Sequence, residues 1–316
     1  MTDYHAAQKP LFGIALKVIS TLAFVGMATV VKIASDRFPI GEMTFFRSFF
    51  ALIPVFAWVA ARGDFPRVFY TKNLLGHLGR SIAGTIGMFC GFAALSYMPI
   101  ADATAIGYAA PLLTVIFAFL FLGEHVRFYR WSAVVVGLTG VLIILSDYFG
   151  PRPSTHSETV ALGAIFAMIG AVGSALAAVQ VRTLTRFEPA GTIVVYFSLF
   201  VSAASLITLP FGWVMPNLPE FGLLVLAGIL GGIGQVLMTQ SYRYADASTI
   251  APFEYVSMIW VLVVSFFIFG TWPSLTVLGG TIVVIAAGLY VIYRERQLGI
   301  ERRKAKEAQT PTNPLS

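Results

Sequence analysis

The sequence holds a single cysteine, Cys90, so no disulfide can close within the chain. Its place in the middle of an apolar stretch marks it as a packing residue that carries no information on redox compartment. Charge is equally scarce: Asp, Glu, Lys and Arg make up 11% of 316 residues, against roughly 25% in an ordinary soluble domain. A water-soluble fold is excluded on that count, because its surface would need polar cover. No G-x-x-x-x-G-K-[ST] phosphate loop occurs, which argues against direct ATP hydrolysis. Also missing are H-E-x-x-H, an aspartate-rich metal motif, G-x-S-x-G, and any cluster of His and Cys at ligand spacing. An enzyme is therefore disfavoured, and neither a metal nor a cofactor is expected.

What the chain has instead is apolar length. Hydrophobic residues make up 57% of it, and runs of about 20 apolar residues recur, the length that crosses a hydrocarbon core of roughly 30 Å. Ten such spans are read at 11–34, 39–60, 74–97, 101–122, 131–146, 160–181, 190–211, 221–242, 248–269 and 275–293, the fifth being short. Lipid offers the backbone no hydrogen bonds, so segments this long and continuously apolar are helices. The expected fold is an all-α membrane protein whose main contact is membrane lipid. The first apolar run is too long for a signal-peptide core, and Val31 and Lys32 stand where a small-residue cleavage site would be, so it is read as a retained span.

The net charge of +6 does not indicate nucleic acid, since the basic residues are scattered through short loops and a tail. With the amino terminus inside, 15 of the 21 Lys and Arg residues fall in inner loops and tails, and only Arg37 and Arg152 fall outside. The remaining four, Lys17, Lys32, Arg47 and Arg80, lie within spans. This positive-inside bias places the chain in the cell inner membrane with both termini cytoplasmic, and it requires an even number of spans.

A repeat is visible at offsets of 142 to 147 residues. Ser96-Tyr97, Ala101-Asp102-Ala103-Thr104, a long apolar helix ending at Gly123, and Gly137 with Thr139 recur as Ser241-Tyr242, Ala245-Asp246-Ala247-Ser248, a helix ending at Gly270, and Gly279 with Thr281. Five helices is an odd number, so the second copy must enter the membrane in the opposite sense, and inverted repeats are a carrier architecture. The chain then divides into a cytoplasmic segment (1–10), a first repeat (11–146), an outer linker (147–159), a second repeat (160–293) and a basic cytoplasmic tail (294–316). The part of that tail beyond Glu301 lacks apolar periodicity and is expected to be disordered.

These landmarks carry a resemblance. Lys32 closing the first helix, Pro39 with Glu42 and Arg47 in the second, Ala101–Thr104 and Pro111 in the fourth, Gly123-Glu124 at its end, and Pro252-Phe253-Glu254-Tyr255 in the ninth resemble the drug/metabolite transporter superfamily, specifically its EamA-type ten-helix carriers. The resemblance spans almost the whole chain. It implies a secondary transporter of a small organic metabolite. Within that family the chain is similar both to riboflavin-type vitamin uptake proteins and to exporters of amino acids and related metabolites. The aromatic content of 14% suits a flat ligand, so riboflavin uptake is the favoured expectation. Where the family often repeats an acidic residue after the closing glycine, this chain has Thr271, so Glu124 is read as closing its helix.

Charges inside lipid-spanning helices are expensive and are the first candidates for function. Lys32, Glu42 and Arg47 are read as a gating or ion-pair group, with Arg47 about 12 Å below the outer end of its helix. Arg80, roughly 9 Å from the inner end of the third span, either binds an anionic or carbonyl-bearing substrate through its planar fork or snorkels to the interface. Glu254, some 10 Å inside the ninth span, follows Pro252, which removes a backbone donor. It either meets a proton or a ligand, or serves as a buried structural acid. Phe253 and Tyr255 flank it, and Tyr108 is its nearest counterpart in the first repeat. Gln235 and Gln240 complete the substrate-binding candidates, beside glycines that let helices approach closely. Asp102 and Asp246 are read as helix caps, and His77 as structural.

A channel is the hardest alternative to set aside, and saturable counterflow separates it from a carrier. A homodimer stays open, since ten helices can enclose a cavity without a partner.

Overall fold

Proline and glycine punctuate the helices of the structure, a computed structural model that describes residues 10–63, 65, 68–71, 73–123, 126–149, 158–184, 187–244 and 251–309. The helices are α1 (Pro10–Ala34), α2 (Ile40–Ala61), α3 (Leu74–Tyr97), α4 (Ile100–Gly107), α5 (Ala109–Leu122), α6 (Phe128–Phe149), α7 (Glu158–Leu184), α8 (Ala190–Leu206), α9 (Leu218–Tyr244), α10 (Val256–Phe267) and α11 (Leu275–Gln309). Pro39, Pro99 and Pro189 each sit with extended ψ just before a helix. Their fixed φ aims the chain into the first turn without needing a donor there. Asn73 caps α3 by accepting the Gly76 N–H at 2.9 Å. At equivalent places in the two halves, Gly123 and Gly270 both adopt φ 62°, a left-handed conformation that glycine enters without steric penalty.

Among the described residues, eight helices are long and apolar enough to cross a membrane, and two shorter apolar helices cover Gly191–Leu206 and Phe253–Phe267. Large apolar side chains such as Leu75, Leu142 and Phe267 stand exposed on the outside, as expected where the solvent is hydrocarbon. Buried hydroxyls bond back onto their own helices: Ser20 donates to the Lys17 carbonyl, Thr29 to Val25, and Thr281 to Val277. The chain is a multi-pass helical membrane protein.

Packing runs between the halves rather than within them. Helix α1 lies along α9, α3 along α7, α6 along α11, and α2 along both α8 and α9. Exchanging the first half for the second turns the α1–α9 contact into the α7–α3 contact, so the pattern is symmetric under that exchange.

Several expectations need correction. The short fifth span is a full-length helix, α6. The fourth is broken at Tyr108 into α4 and α5, and the described part of the ninth begins as a 3-10 turn, Ala251–Tyr255, before α10. Helix α11 continues to Gln309, where a disordered tail was expected. The stretch after Tyr293 is rich in Glu, Lys, Arg, Ala and Gln, all strong helix formers, and holds no proline before Pro311. Asp102 is not a cap, because Pro99 occupies that position. Its carboxylate instead accepts the Tyr148 hydroxyl at 2.6 Å, which ties α4 to α6. Glu124, Asp246 and residues 1–9, 150–157 and 310–316 lie outside the described residues.

Candidate functional site

The α4–α5 joint meets the 3-10 turn that opens the described part of the ninth span. Tyr108, at the joint of α4 and α5, points its hydroxyl at Ser257 Oγ, 2.7 Å away in the first turn of α10. Ser257 donates to the Glu254 carbonyl at 2.6 Å, so the tyrosine is the donor and Ser257 accepts. The Tyr108 and Tyr255 rings pack edge to face at 5.3 Å, a favourable quadrupole geometry. Pro111 stands three residues after the α4–α5 joint and Pro252 within the 3-10 turn, and each removes a backbone donor.

Glu254 projects from this junction to an ion pair with Lys17 Nζ. The pair joins α1 to the 3-10 turn across 237 residues of sequence. Its halves differ: the lysine side chain is 1% exposed and the glutamate 44%. A buried ammonium is held by a carboxylate that still meets the surroundings, so only one partner depends on the bond for its solvation.

Arg47 and Arg80 are two further buried charges, on the neighbouring helices α2 and α3. Arg47, buried on α2, lies over Gly231 of α9 and directs Nε to Met27 Sδ at 3.4 Å. Arg80, buried on α3, places its guanidinium 3.6 Å from the Phe197 ring centroid of α8. Its Nε and Nη1 are buried without a hydrogen-bond partner among the described residues. The two arginines stand on helices that contact one another, α2 and α3.

The expected ion pair of Glu42 with Arg47 or Lys32 does not form. Five residues along a helix turn through about 140°, so Glu42 and Arg47 face different ways. Glu42 instead accepts the Val214 N–H at 2.9 Å. Lys32 is half-buried and lines a cavity of about 270 Å³ with Tyr97, Met98, Pro99, Ile100, Phe269 and Thr271. Gln240 is taken by Arg62, which donates to it at 2.7 Å and stacks 4.7 Å over Trp58. Gln235 and Phe253 are half-buried. His77 is buried, stacked on Tyr196 at 4.7 Å, with Nε2 4.0 Å from Glu188.

The structure thus brings Tyr108, Glu254 and Tyr255 together and buries Arg47 and Arg80 on the neighbouring helices α2 and α3. Sequence reasoning missed Lys17, Ser257 and Phe197. Of these only Lys17 left a signal, as one of four basic residues within spans. Among the described residues no group of three His, Cys, Asp or Glu side chains gathers to hold a metal.

Known proteins agree with this architecture. A solved crystal structure superposes with TM-score 0.64 at 19% identity, covering 90% of this chain and 98% of its own, which establishes a shared fold. The S-adenosylmethionine uptake transporter of Rickettsia bellii is 26% identical over 90% of this chain and 94% of its own. The pseudopaline exporter of Pseudomonas aeruginosa is 28% identical over 87% and 94%. The riboflavin transporter of Rhizobium johnstonii is 27% identical over 73% of each chain. The EamA-like transporter family matches twice, at residues 11–146 and 161–294. The chain belongs to the EamA-like transporter family and is a small-molecule transporter.

Proposed function

We propose that the protein is a secondary carrier that moves a small organic metabolite across the cell inner membrane by alternating access. In this reading ten spans form two inverted five-helix repeats, 11–146 and 160–293, with both termini cytoplasmic. The observation that carries it is the meeting of the α4–α5 joint at Tyr108, in one half, with the 3-10 turn Ala251–Tyr255, in the other. Proline-interrupted apolar segments at corresponding positions of the two halves, here holding Pro111 and Pro252, point to the substrate site of carriers built from repeats. Packing that is symmetric under exchange of the halves supports the same reading, because such a molecule can swap the conformations of its halves.

Tyr108, Phe253, Glu254 and Tyr255 then line the path, and the Lys17–Glu254 pair holds one end of it closed. Arg80 and Gln235 remain substrate-facing candidates, whereas Gln240 helps Arg62 close an end. Riboflavin uptake is supported by the relative named for that vitamin. Export of amino acids or related metabolites draws its support from the relative named as an exporter of pseudopaline. Initial uptake into proteoliposomes of a panel of riboflavin, amino acids, purines and S-adenosylmethionine tests the proposal. Saturable uptake of one compound is the expected result, and none across the panel in either membrane orientation would count against it.

Two further outcomes are expected. Reporters fused after Ser316 and within residues 154–157 should report opposite sides of the membrane, and the same side would contradict the inverted repeats. Tyr108→Phe removes one buried hydrogen bond, worth about 1 kcal/mol. It should lower thermal stability slightly while reducing the uptake rate more than that loss explains, and equal uptake would remove the junction from the site.

A further inference from the structure

We infer that Arg47 and Arg80 form an anion subsite that takes the carboxylate of the transported molecule, so that the substrate class is a carboxylate-bearing organic metabolite rather than a neutral vitamin. The inference rests on the carrier reading and deepens it. Both arginines are more than nine-tenths buried, Arg47 at 6% and Arg80 at 8% exposure, and no carboxylate lies in ion-pair range of either among the described residues. The acid closest in sequence, Glu42, is committed to the Val214 N–H. The Phe197 ring under Arg80 and the Met27 sulfur beside Arg47 are soft partners that neutralise neither charge.

Two like charges enclosed without a counterion form an arrangement that a protein tolerates poorly. Arg80 Nε and Nη1, both lacking acceptors, offer donors to an incoming oxygen. A carboxylate supplies two acceptor oxygens that match the guanidinium fork and brings the missing negative charge. The Phe197 ring of α8 lies against Arg80, and the Gly231 backbone of α9 lies against Arg47. Four helices, two from each half, contribute: α2 and α3 bring the arginines, and α8 and α9 bring the faces against which they rest. A ligand bound there touches both halves at once, as alternating access requires of a substrate.

The test uses the purified full-length protein and measures its Tm in detergent at fixed ionic strength. The probes are millimolar succinate, glutamate and pyruvate, each beside its methyl ester, with inorganic phosphate and riboflavin as further arms. At least one acid should raise Tm by several degrees while its ester does not, since a ligand that binds only the folded state stabilises it in proportion to the logarithm of its concentration over Kd. Arg47→Gln and Arg80→Gln should abolish that rise. Without ligand their own Tm should equal or exceed that of the wild type, because each removes an uncompensated buried charge. Arg47→Lys and Arg80→Lys, which keep the charge and lose the fork, should retain a reduced rise. Acid and ester acting alike, phosphate acting without any acid, or a rise that survives both Gln variants would overturn the assignment. So would no rise with any acid, or ligand-free Gln variants that melt well below the wild type. Stabilisation by riboflavin alone would overturn the carboxylate assignment and leave the carrier reading standing, whereas loss of saturable uptake for every compound would strike the carrier reading itself.

Discussion

Glu254→Gln is expected to reduce initial uptake by roughly tenfold or more, equivalent to about 1.4 kcal/mol of lost transition-state stabilisation, while the protein still reaches the membrane. The asymmetry of its ion pair makes the stability effects of the two partners unequal. Lys17 is 1% exposed and Glu254 44%, so removing the carboxylate strands a buried ammonium, whereas removing the lysine leaves a carboxylate that already meets its surroundings. Breaking a buried pair costs about 3–5 kcal/mol. Here the lower end applies, because Glu254 is partly exposed and glutamine keeps one acceptor for the lysine. Lys17→Met should cost about 1 kcal/mol or less, and should also impair uptake by losing the link between α1 and the 3-10 turn. The double variant Lys17→Met/Glu254→Gln should recover the abundance lost in Glu254→Gln without recovering transport. Thermal stability, membrane abundance and initial rate measured on all three variants decide the matter. Wild-type transport with an unchanged pH profile in Glu254→Gln would reduce the pair to a structural link.

The second large effect is expected at the α3–α7 contact. A Cβ on Gly173 would stand 2.6 Å from the Gly87 nitrogen, 2.9 Å from its Cα and 3.0 Å from the Ala83 carbonyl oxygen. All three are backbone atoms and cannot swing aside. Gly173→Ala must therefore push the helices apart, and overpacking of this kind costs about 1–3 kcal/mol. Gly173→Val should do more and deplete the protein from the membrane. Gly91, one turn beyond Gly87 on α3, has open space at its Cβ position, so Gly91→Ala should be neutral or slightly stabilising, since alanine is the better helix former by about 1 kcal/mol. Equal melting of Gly91→Ala and Gly173→Ala would show that the contact does not constrain the two halves.

The lipid-spanning character of the chain was legible because hydrocarbon imposes a length and a composition on each helix. The repeat was legible because Gly123 and Gly270 close helices at matching places. Interruptions within spans were harder to see. Pro111 and Pro252 could be read as weak points, but whether a proline bends a helix or splits it depends on what satisfies the freed carbonyls, and at Tyr108 that was a question of packing. Polar partners were the least legible. Lys17 could be counted as a basic residue inside the first span, yet its acid lies in the other half of the chain, beyond any local periodicity. Glu42 and Arg47 illustrate the opposite error, since nearness in sequence suggested a pair that helical rotation forbids. Asp102 had the composition of a cap, but Pro99 started the helix first and left the carboxylate for Tyr148.

Solute counterflow tests the carrier claim most directly. Proteoliposomes loaded with an unlabelled compound that the uptake panel identifies, then diluted into a trace of its labelled form, should accumulate label transiently above equilibrium, because a carrier with one site exposed to each side in turn exchanges faster than it dissipates. A monotonic approach to equilibrium with no overshoot, at a rate that does not saturate with concentration, would show an open pore and contradict alternating access.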